Sequence, residues 1–364
     1  MMFHRQKTRT VHIGKAVIGG GKPVLVQSMT NTPTRDVART VRQIHELEDV
    51  GCEIVRVGVP DLLAARALGQ IKKKISIPLV ADIHFDYRLA LEAISQGVDK
   101  LRINPGNIGS RDRVEQVVMA AKKAKVPIRI GVNAGSLAAV HKRSSSGDIV
   151  KDRAKKLVGA ALEHIAILES FSFFDIAVSL KASDVATTVA AYRLLAAQKK
   201  YPLHLGITEA GSLLRGTVKS SVGLGILLFE GLGDTIRVSL TANPVEEIKV
   251  AYHILQSLGL RSTGVEVISC PTCSRCEVDL IGIVNELEDQ LSRINLKTSS
   301  LLARPVKIAV MGCAVNGPGE AKEADIGIAG AKKTGILFKK GIVAGTIPSK
   351  QWVSTLIKYI KTRR

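Results

Sequence analysis

Leu79-Val80-Ala81-Asp82-Ile83-His84-Phe85 and Lys100-Leu101-Arg102-Ile103-Asn104, with a helical-period segment over 87–97 between them, decide the fold. Each run has strand length, and the spacer is long enough for a crossover helix, so the two strands of this β–α–β unit are expected to be parallel. Parallel strands are covered on both faces and normally read as continuous apolar runs. Here Asp82, Arg102 and Asn104 interrupt that pattern.

The same alternation extends in both directions. Strands are expected at Val24–Met29, Ile54–Gly58, Leu79–Ile83, Lys100–Asn104, Ile128–Asn133, Asp175–Lys181, Leu203–Glu209 and Thr235–Leu240. Helices are expected near 36–50, 61–74, 87–97, 111–125, 151–170, 184–199, 213–230 and 245–258. Strand and helix eight times over, in this length of chain, point to an α/β protein with a (β/α)8 TIM barrel. An open doubly wound sheet remains the alternative, because counting strands does not show closure. Gly216 to Gly225 lacks the strand-then-turn context of a nucleotide loop and reads as close helix packing. Ala134 to Val150 is long for a βα loop and is a candidate lid.

In a TIM barrel the chemistry sits at the C-terminal strand ends. The polar residues expected there are Arg56, Asp82, His84, Arg102, Asn104, Arg129, Asn133, Ser179, Lys181, Glu209, Arg237 and Ser239. A guanidinium in an apolar strand must find a polar partner, since leaving it unpaired would be very costly. Arg56, Arg102, Arg129 and Lys181 converging on one mouth would hold a dense anion, and guanidinium geometry favours phosphate or diphosphate. Each taken alone could instead be a structural ion pair. His84, two residues after Asp82, is a candidate substrate contact or proton donor, and Glu209 a candidate general acid or base.

A composition shift at 258–264 suggests a linker, dividing the chain into a barrel over 1–258 and a small α+β domain over 264–364. The second domain carries Ser269-Cys270-Pro271-Thr272-Cys273-Ser274-Arg275-Cys276 and Gly312-Cys313-Ala314-Val315-Asn316-Gly317-Pro318-Gly319-Glu320. Its strands are expected at Val265–Ser269, Val306–Met311, Ile326–Ala329, Gly335–Phe338 and Ile342–Ala344, with helices at 279–291 and 349–361. Four of the five cysteines lie in these two stretches, and the spacing suits a soft metal centre, zinc or iron–sulfur alike. Cys52 opens an apolar run and reads as core.

The chain has 364 residues and a formal net charge of +20. That charge suits an anionic substrate, an acidic protein partner or nucleic acid. Aromatic residues make up only 4% of the chain, which weakens a base-stacking surface. No apolar run approaches the roughly 20 residues of a membrane span, and no secretory signal is visible. Clustered cysteines in odd number argue for a reducing compartment, and a cytoplasmic location is expected.

The two cysteine stretches, together with Val26-Gln27-Ser28-Met29-Thr30, Ala81-Asp82-Ile83-His84-Phe85, Leu101-Arg102-Ile103-Asn104-Pro105-Gly106-Asn107 and Glu230 through Leu240, strongly resemble the bacterial two-domain 4-hydroxy-3-methylbut-2-enyl diphosphate synthase family. The likeness covers nearly the whole chain. It implies a [4Fe-4S] cluster held by Cys270, Cys273, Cys313 and Glu320. It also implies reductive ring opening and dehydration of 2-C-methyl-D-erythritol 2,4-cyclodiphosphate, with electrons from reduced flavodoxin or ferredoxin. The diphosphate contacts correspond to Arg56, Arg102, Arg129 and Lys181, with Asn104, Asn133 and Ser239 beside them. The resemblance further implies a homodimer in which one cluster domain faces the partner's barrel, with no role for nucleic acid or membrane. Cys276 departs from the family pattern and reads as a spare thiol, the alternative being a fourth thiolate ligand. Two rival readings are a pteroate-synthase-like transferase with an added metal domain, which leaves the cysteines idle, and a zinc-ribbon nucleic-acid-binding protein, which leaves the polar strand ends unexplained.

Overall fold

The computed structural model describes residues 5–136, 148–261, 264–292, 306–313, 315, 317–331 and 333–362. Most of the candidate lid therefore lies outside the described residues. The chain divides into two compact units, Met1–Arg261 and Ser262–Arg364.

The first unit opens with a hairpin, β1 (Val11–Ile13) and β2 (Ala16–Ile18), that sequence reading did not anticipate. Eight parallel strands follow: β3 (Leu25–Met29), β4 (Ile54–Gly58), β5 (Leu79–Asp82), β6 (Lys100–Ile103), β7 (Ile128–Asn133), β8 (Ile176–Lys181), β9 (His204–Leu205) and β10 (Thr235–Ile236). They are hydrogen-bonded in the order β8-β7-β6-β5-β4-β3-β10-β9. A single parallel bridge between Val178 and Leu203 joins β8 to β9 and completes the circle.

Helices α1 (Val37–Asp49), α2 (Leu62–Lys72), α3 (Tyr87–Ser95), α4 (Pro105–Ile108), α5 (Arg111–Ala124), α6 (Ile149–Ser170), α7 (Val185–Gln198), α8 (Leu213–Phe229) and α9 (Pro244–Ser257) alternate with the strands. Five of them begin at an aspartate whose carboxylate accepts a backbone N–H of the first turn: Asp36, Asp61, Asp86, Asp148 and Asp184. Such caps satisfy donors that a helix start leaves open, each worth about 1 kcal/mol, and so mark where strand-end loops turn into helix. Gly216 and Gly223 let α8 pack closely, since a Cβ there would lie 2.5 Å from Leu240 and 2.7 Å from Ile207.

The inside of the barrel is stratified. At the bottom, Ile54, Val80 and Ala177 point inward and pack on Val11, Ile13 and Ile18, so the hairpin plugs the N-terminal end with apolar side chains. Polar residues fill the layers above. The last two barrel strands are shorter than expected: Leu203–Glu209 reduces to two residues, and so does Thr235–Leu240. Beyond them the backbone is held by single bonds, Arg237 N to Leu205 O at 3.0 Å and Thr208 N to Ala182 O at 3.2 Å, rather than by a continued ladder.

The second unit is a five-stranded sheet, ordered β11 (Val265–Ser269), β12 (Val306–Met311), β13 (Ile326–Ala331), β14 (Thr334–Lys339) and β15 (Ile342–Pro348). The first three strands are parallel and the last two antiparallel. Helices α10 (Leu280–Ser292), α11 (Gly317–Lys322) and α12 (Trp352–Lys361) complete it. Trp352 is fully buried at the centre of its apolar core.

Candidate active site

Strand pleating puts Lys100, Arg102 and Asn104 on one face of β6 and its continuation, and Arg129, Gly131 and Asn133 on one face of β7. The parallel register places Arg102 opposite Arg129, and Asn133 opposite Lys181. Arg56 joins them from β4.

The only carboxylate at the centre of this group among the described residues is Asp82. It accepts from Arg102 Nη1 at 3.1 Å, with Arg56 Nε at 3.6 Å and His84 Nε2 at 3.6 Å. Burial would raise its pKa, but the charges of Arg56, Arg102 and Arg129 and the His84 hydrogen bond overcome that and hold it far below the usual carboxylate range. Arg102 also donates to Gly131 O at 3.0 Å and contacts the His84 ring at 3.0 Å. Its side chain needs glycine opposite: a Cβ at 131 would lie 2.5 Å from Arg102 Nε.

One carboxylate does not satisfy this much positive charge. Arg129 is 1% exposed, and its Nε and Nη1 have no hydrogen-bond partner. Arg102 Nε, Lys100 Nζ and Asn104 Oδ1 are orphaned too. Arg56 directs two nitrogens at the Met29 thioether, a weak acceptor. Burial pulls the Arg56 pKa down to about 10, and it pushes Lys181 and Arg129 well below their ordinary values, with the neighbouring guanidinium groups adding to the effect. Unmet buried donors cost on the order of 1–3 kcal/mol each, so the orphaned arginine and lysine nitrogens suit an anionic ligand.

Of the other expected site residues, Asn104, Asn133 and Ser239 lie at or just beyond the C-terminal ends of β6, β7 and β10. His84 is about half exposed at the end of β5. Glu209 lies past β9, exposed, with a left-handed φ of 53° that a non-glycine residue rarely adopts. Sequence reading passed over Lys100, His204 and Glu247. Glu247 accepts from Ser28 Oγ at 3.1 Å and Leu240 N at 3.0 Å, and pairs with Arg237 at 3.5 Å.

In the second unit, β11 and β12 are parallel neighbours, with Ser269 opposite Val310, so the two cysteine loops leave the sheet side by side. Gly312 N donates to Cys270 Sγ at 3.3 Å, and Glu277 N to Gly312 O at 3.1 Å. Cys273 is exposed, Cys270 and Cys313 are half-buried, and Glu320 is exposed in the first turn of α11. The donor types suit an iron–sulfur centre: three thiols for soft iron sites and one hard carboxylate. Among the described residues no three such side chains are drawn together into a metal-binding group. Cys276 Sγ donates to Val278 O at 3.3 Å and lies where a Cβ on Gly312 would come within 2.5 Å, which packs it against the domain core.

Residues 8–252 match the GcpE TIM-barrel domain, and residues 266–362 match the GcpE protein C-terminal domain. The chain belongs to the GcpE family. Curated relatives include the 4-hydroxy-3-methylbut-2-en-1-yl diphosphate synthase (flavodoxin) of Thermodesulfovibrio yellowstonii, 55% identical over 364 residues and covering 99% of this chain and 100% of the relative. The protein of the same name from Geobacillus thermodenitrificans is 56% identical over 359 residues, covering 99% of this chain and 93% of the relative. Among solved structures, a dihydropteroate synthase from Xanthomonas albilineans covers 70% of this chain and 99% of its own, with a TM-score of 0.50 and 12% identity. That likeness concerns the fold alone. Membership of the GcpE family agrees with the barrel and the appended domain, and it rules out the pteroate-synthase and zinc-ribbon alternatives as family assignments.

Proposed function

We propose that this chain catalyses the reaction for which its curated relatives are named, forming 4-hydroxy-3-methylbut-2-enyl diphosphate by reductive ring opening and dehydration of 2-C-methyl-D-erythritol 2,4-cyclodiphosphate. The observation that carries the reading is the buried cationic array of Arg56, Arg102, Arg129 and Lys181, with nitrogens left unsatisfied around a single aspartate. Ring opening breaks the C2–O bond, and its electron pair remains on the phosphate oxygen as a new negative charge. The C3 hydroxyl leaves, takes one proton and becomes water. Two electrons complete the C2–C3 double bond.

Negative charge therefore grows on the diphosphate as the reaction proceeds. Cations fixed in a buried barrel stabilise that growing charge more than the charge of the ground state. Asn104, Asn133 and Ser239 complete the substrate site at the strand ends. Glu209 is the proposed proton donor to the leaving hydroxyl, and His84, held by Asp82 and Arg102, is the second candidate.

Cys270, Cys273, Cys313 and Glu320 would hold a [4Fe-4S] cluster, which when bound supplies electrons singly and one iron whose oxygen ligand is exchangeable. Reduced flavodoxin is the proposed donor, with ferredoxin as the alternative, and the net charge of +20 suits an acidic carrier. No described helix is long and apolar enough to cross a membrane, and a cytoplasmic location is proposed. A homodimer is proposed as well. It is supported by Leu214, Val218, Val222, Ile226 and Phe229, which form an exposed apolar stripe down α8. Sedimentation of the full chain measures that association.

The test of the main reading is protein purified without oxygen. It should contain about four irons per chain and convert the cyclodiphosphate to the open diphosphate with reduced flavodoxin. A chain that binds zinc, takes up no iron on anaerobic reconstitution and leaves the cyclodiphosphate intact would overturn it.

A further inference from the structure

Between β8 and β9 the barrel is joined by a single bridge, and there the mouth's lysine meets a histidine that the reaction as described does not use. His204 is fully buried. Its Nδ1 lies 2.8 Å from Thr235 Oγ1 on β10, and its Nε2 lies 3.4 Å from Lys181 Nζ on β8. The titratable groups around it are Arg129 on β7, Lys181 on β8, Lys100 on β6 and Arg56 on β4, each a cation when protonated; burial, and after it their positive charge, keeps the ring neutral.

A neutral imidazole has one donor and one acceptor nitrogen. Toward the ammonium form of Lys181 the ring can only accept, which makes Nε2 the acceptor and directs Nδ1–H at Thr235 in that form. A second constraint comes from Gly206. A Cβ there would lie 2.4 Å from Lys181 Nζ and 2.7 Å from Arg237 O, so the amine fills a slot that only glycine leaves open. A leucine would fill the position of His204 without placing a polar ring among cations. What the imidazole adds is an acceptor aimed at Lys181.

We infer that His204 is the positioning residue for Lys181, fixing where its amine stands and favouring the ammonium form that meets the diphosphate. Burial, Arg129, Arg237, Arg56 and Arg102 all disfavour charge on Lys181. A neutral acceptor works against them, since a hydrogen bond to an ammonium is stronger than one to an amine. The inference rests on the diphosphate reading above.

The test compares full-length wild type with His204→Phe, His204→Gln and Thr235→Val. It reads the pH dependence of kcat/KM for the cyclodiphosphate, and the affinity for inorganic diphosphate by calorimetry, which needs no cluster. His204→Phe should move the alkaline limb about one pH unit lower and weaken diphosphate binding about tenfold near pH 8. His204→Gln, whose amide oxygen accepts from the amine, should restore most of both, and Thr235→Val should fall between. An unmoved limb and affinity in His204→Phe overturn the inference, as does a Gln variant no better than Phe. If the Phe variant does not fold, an unmoved limb in Thr235→Val overturns it alone. A wild type that neither turns over the cyclodiphosphate nor binds diphosphate overturns the underlying reading instead.

Discussion

In the barrel the cationic side chains Arg56, Arg102, Arg129 and Lys181 are buried and already brought together, whereas in the C-terminal unit Cys273 and Glu320 face solvent and the proposed metal donors are not drawn together among the described residues. The difference follows from the elements that carry them. Strand residues have a direction fixed by the pleat, so Arg56, Arg102, Arg129 and Lys181 are held near one another although they repel. The thiols and the carboxylate sit on turns and at a helix start, where the backbone prescribes less. On the proposed function, one site stores unfavourable electrostatics until an anion arrives, and the other would gain its order from the cluster it holds, as metal sites on short loops commonly do.

The largest effect that can break this contrast is loss of a cluster ligand. Cys273→Ser should lower turnover by at least roughly a thousandfold, since it removes the electron path altogether. Diphosphate affinity in the same protein should remain as in wild type. Iron analysis, anaerobic turnover and calorimetry with inorganic diphosphate check both halves, and a fall in diphosphate affinity would show that the two units are not independent in this sense.

Next comes Arg129→Met, which separates function from stability within the barrel. Removing a buried cation with two orphaned nitrogens should weaken diphosphate binding by about 3 kcal/mol, roughly a hundredfold. It should also raise ligand-free stability by about 1 kcal/mol, because an apolar chain of similar length needs no partner. A variant that is less stable than wild type would mean that Arg129 is part of the scaffold.

The same contrast explains what the sequence made legible. Arg102, Arg129 and Lys181 stood out because a charge in a parallel strand has few structural explanations. Lys100 lies two residues before Arg102, and pleating puts it on the same inward face, so the signal was present in the spacing. His204 was hidden by its place at the start of a short strand, where nothing in the sequence announces Lys181 beside it. Gly131 and Gly206 could not be read as slots until the side chains crossing them were known. The hairpin at 11–18 was written as two three-residue strands, Val11-His12-Ile13 and Ala16-Val17-Ile18, around Gly14-Lys15, short enough to pass as a loop. In the C-terminal unit the cysteine candidates were legible from spacing and Glu320 only from the family resemblance, while their separation was not, because spacing constrains the loop and not its conformation.

The smallest expected effect tests whether the barrel's amines really are held without charge. Burial, with Arg129 nearby, pushes Lys100 and Lys181 well below the ordinary lysine range. In the unfolded chain both return to about 10.4. Between the two values the unfolded state binds more protons than the folded one, so stability rises with pH until the unfolded amines titrate. Cys52 works in the opposite direction, since burial pushes its thiol up to about 12 and the unfolded thiol loses its proton first. The quantity to measure is therefore the difference between wild type and Lys100→Met in melting temperature, followed from neutral pH to about pH 9.5. Wild type should gain a few degrees on the variant across that range without ligand. A difference that stays flat without ligand would place the Lys100 amine in its charged form, and the barrel would then need an anion or water at its floor even before substrate binds.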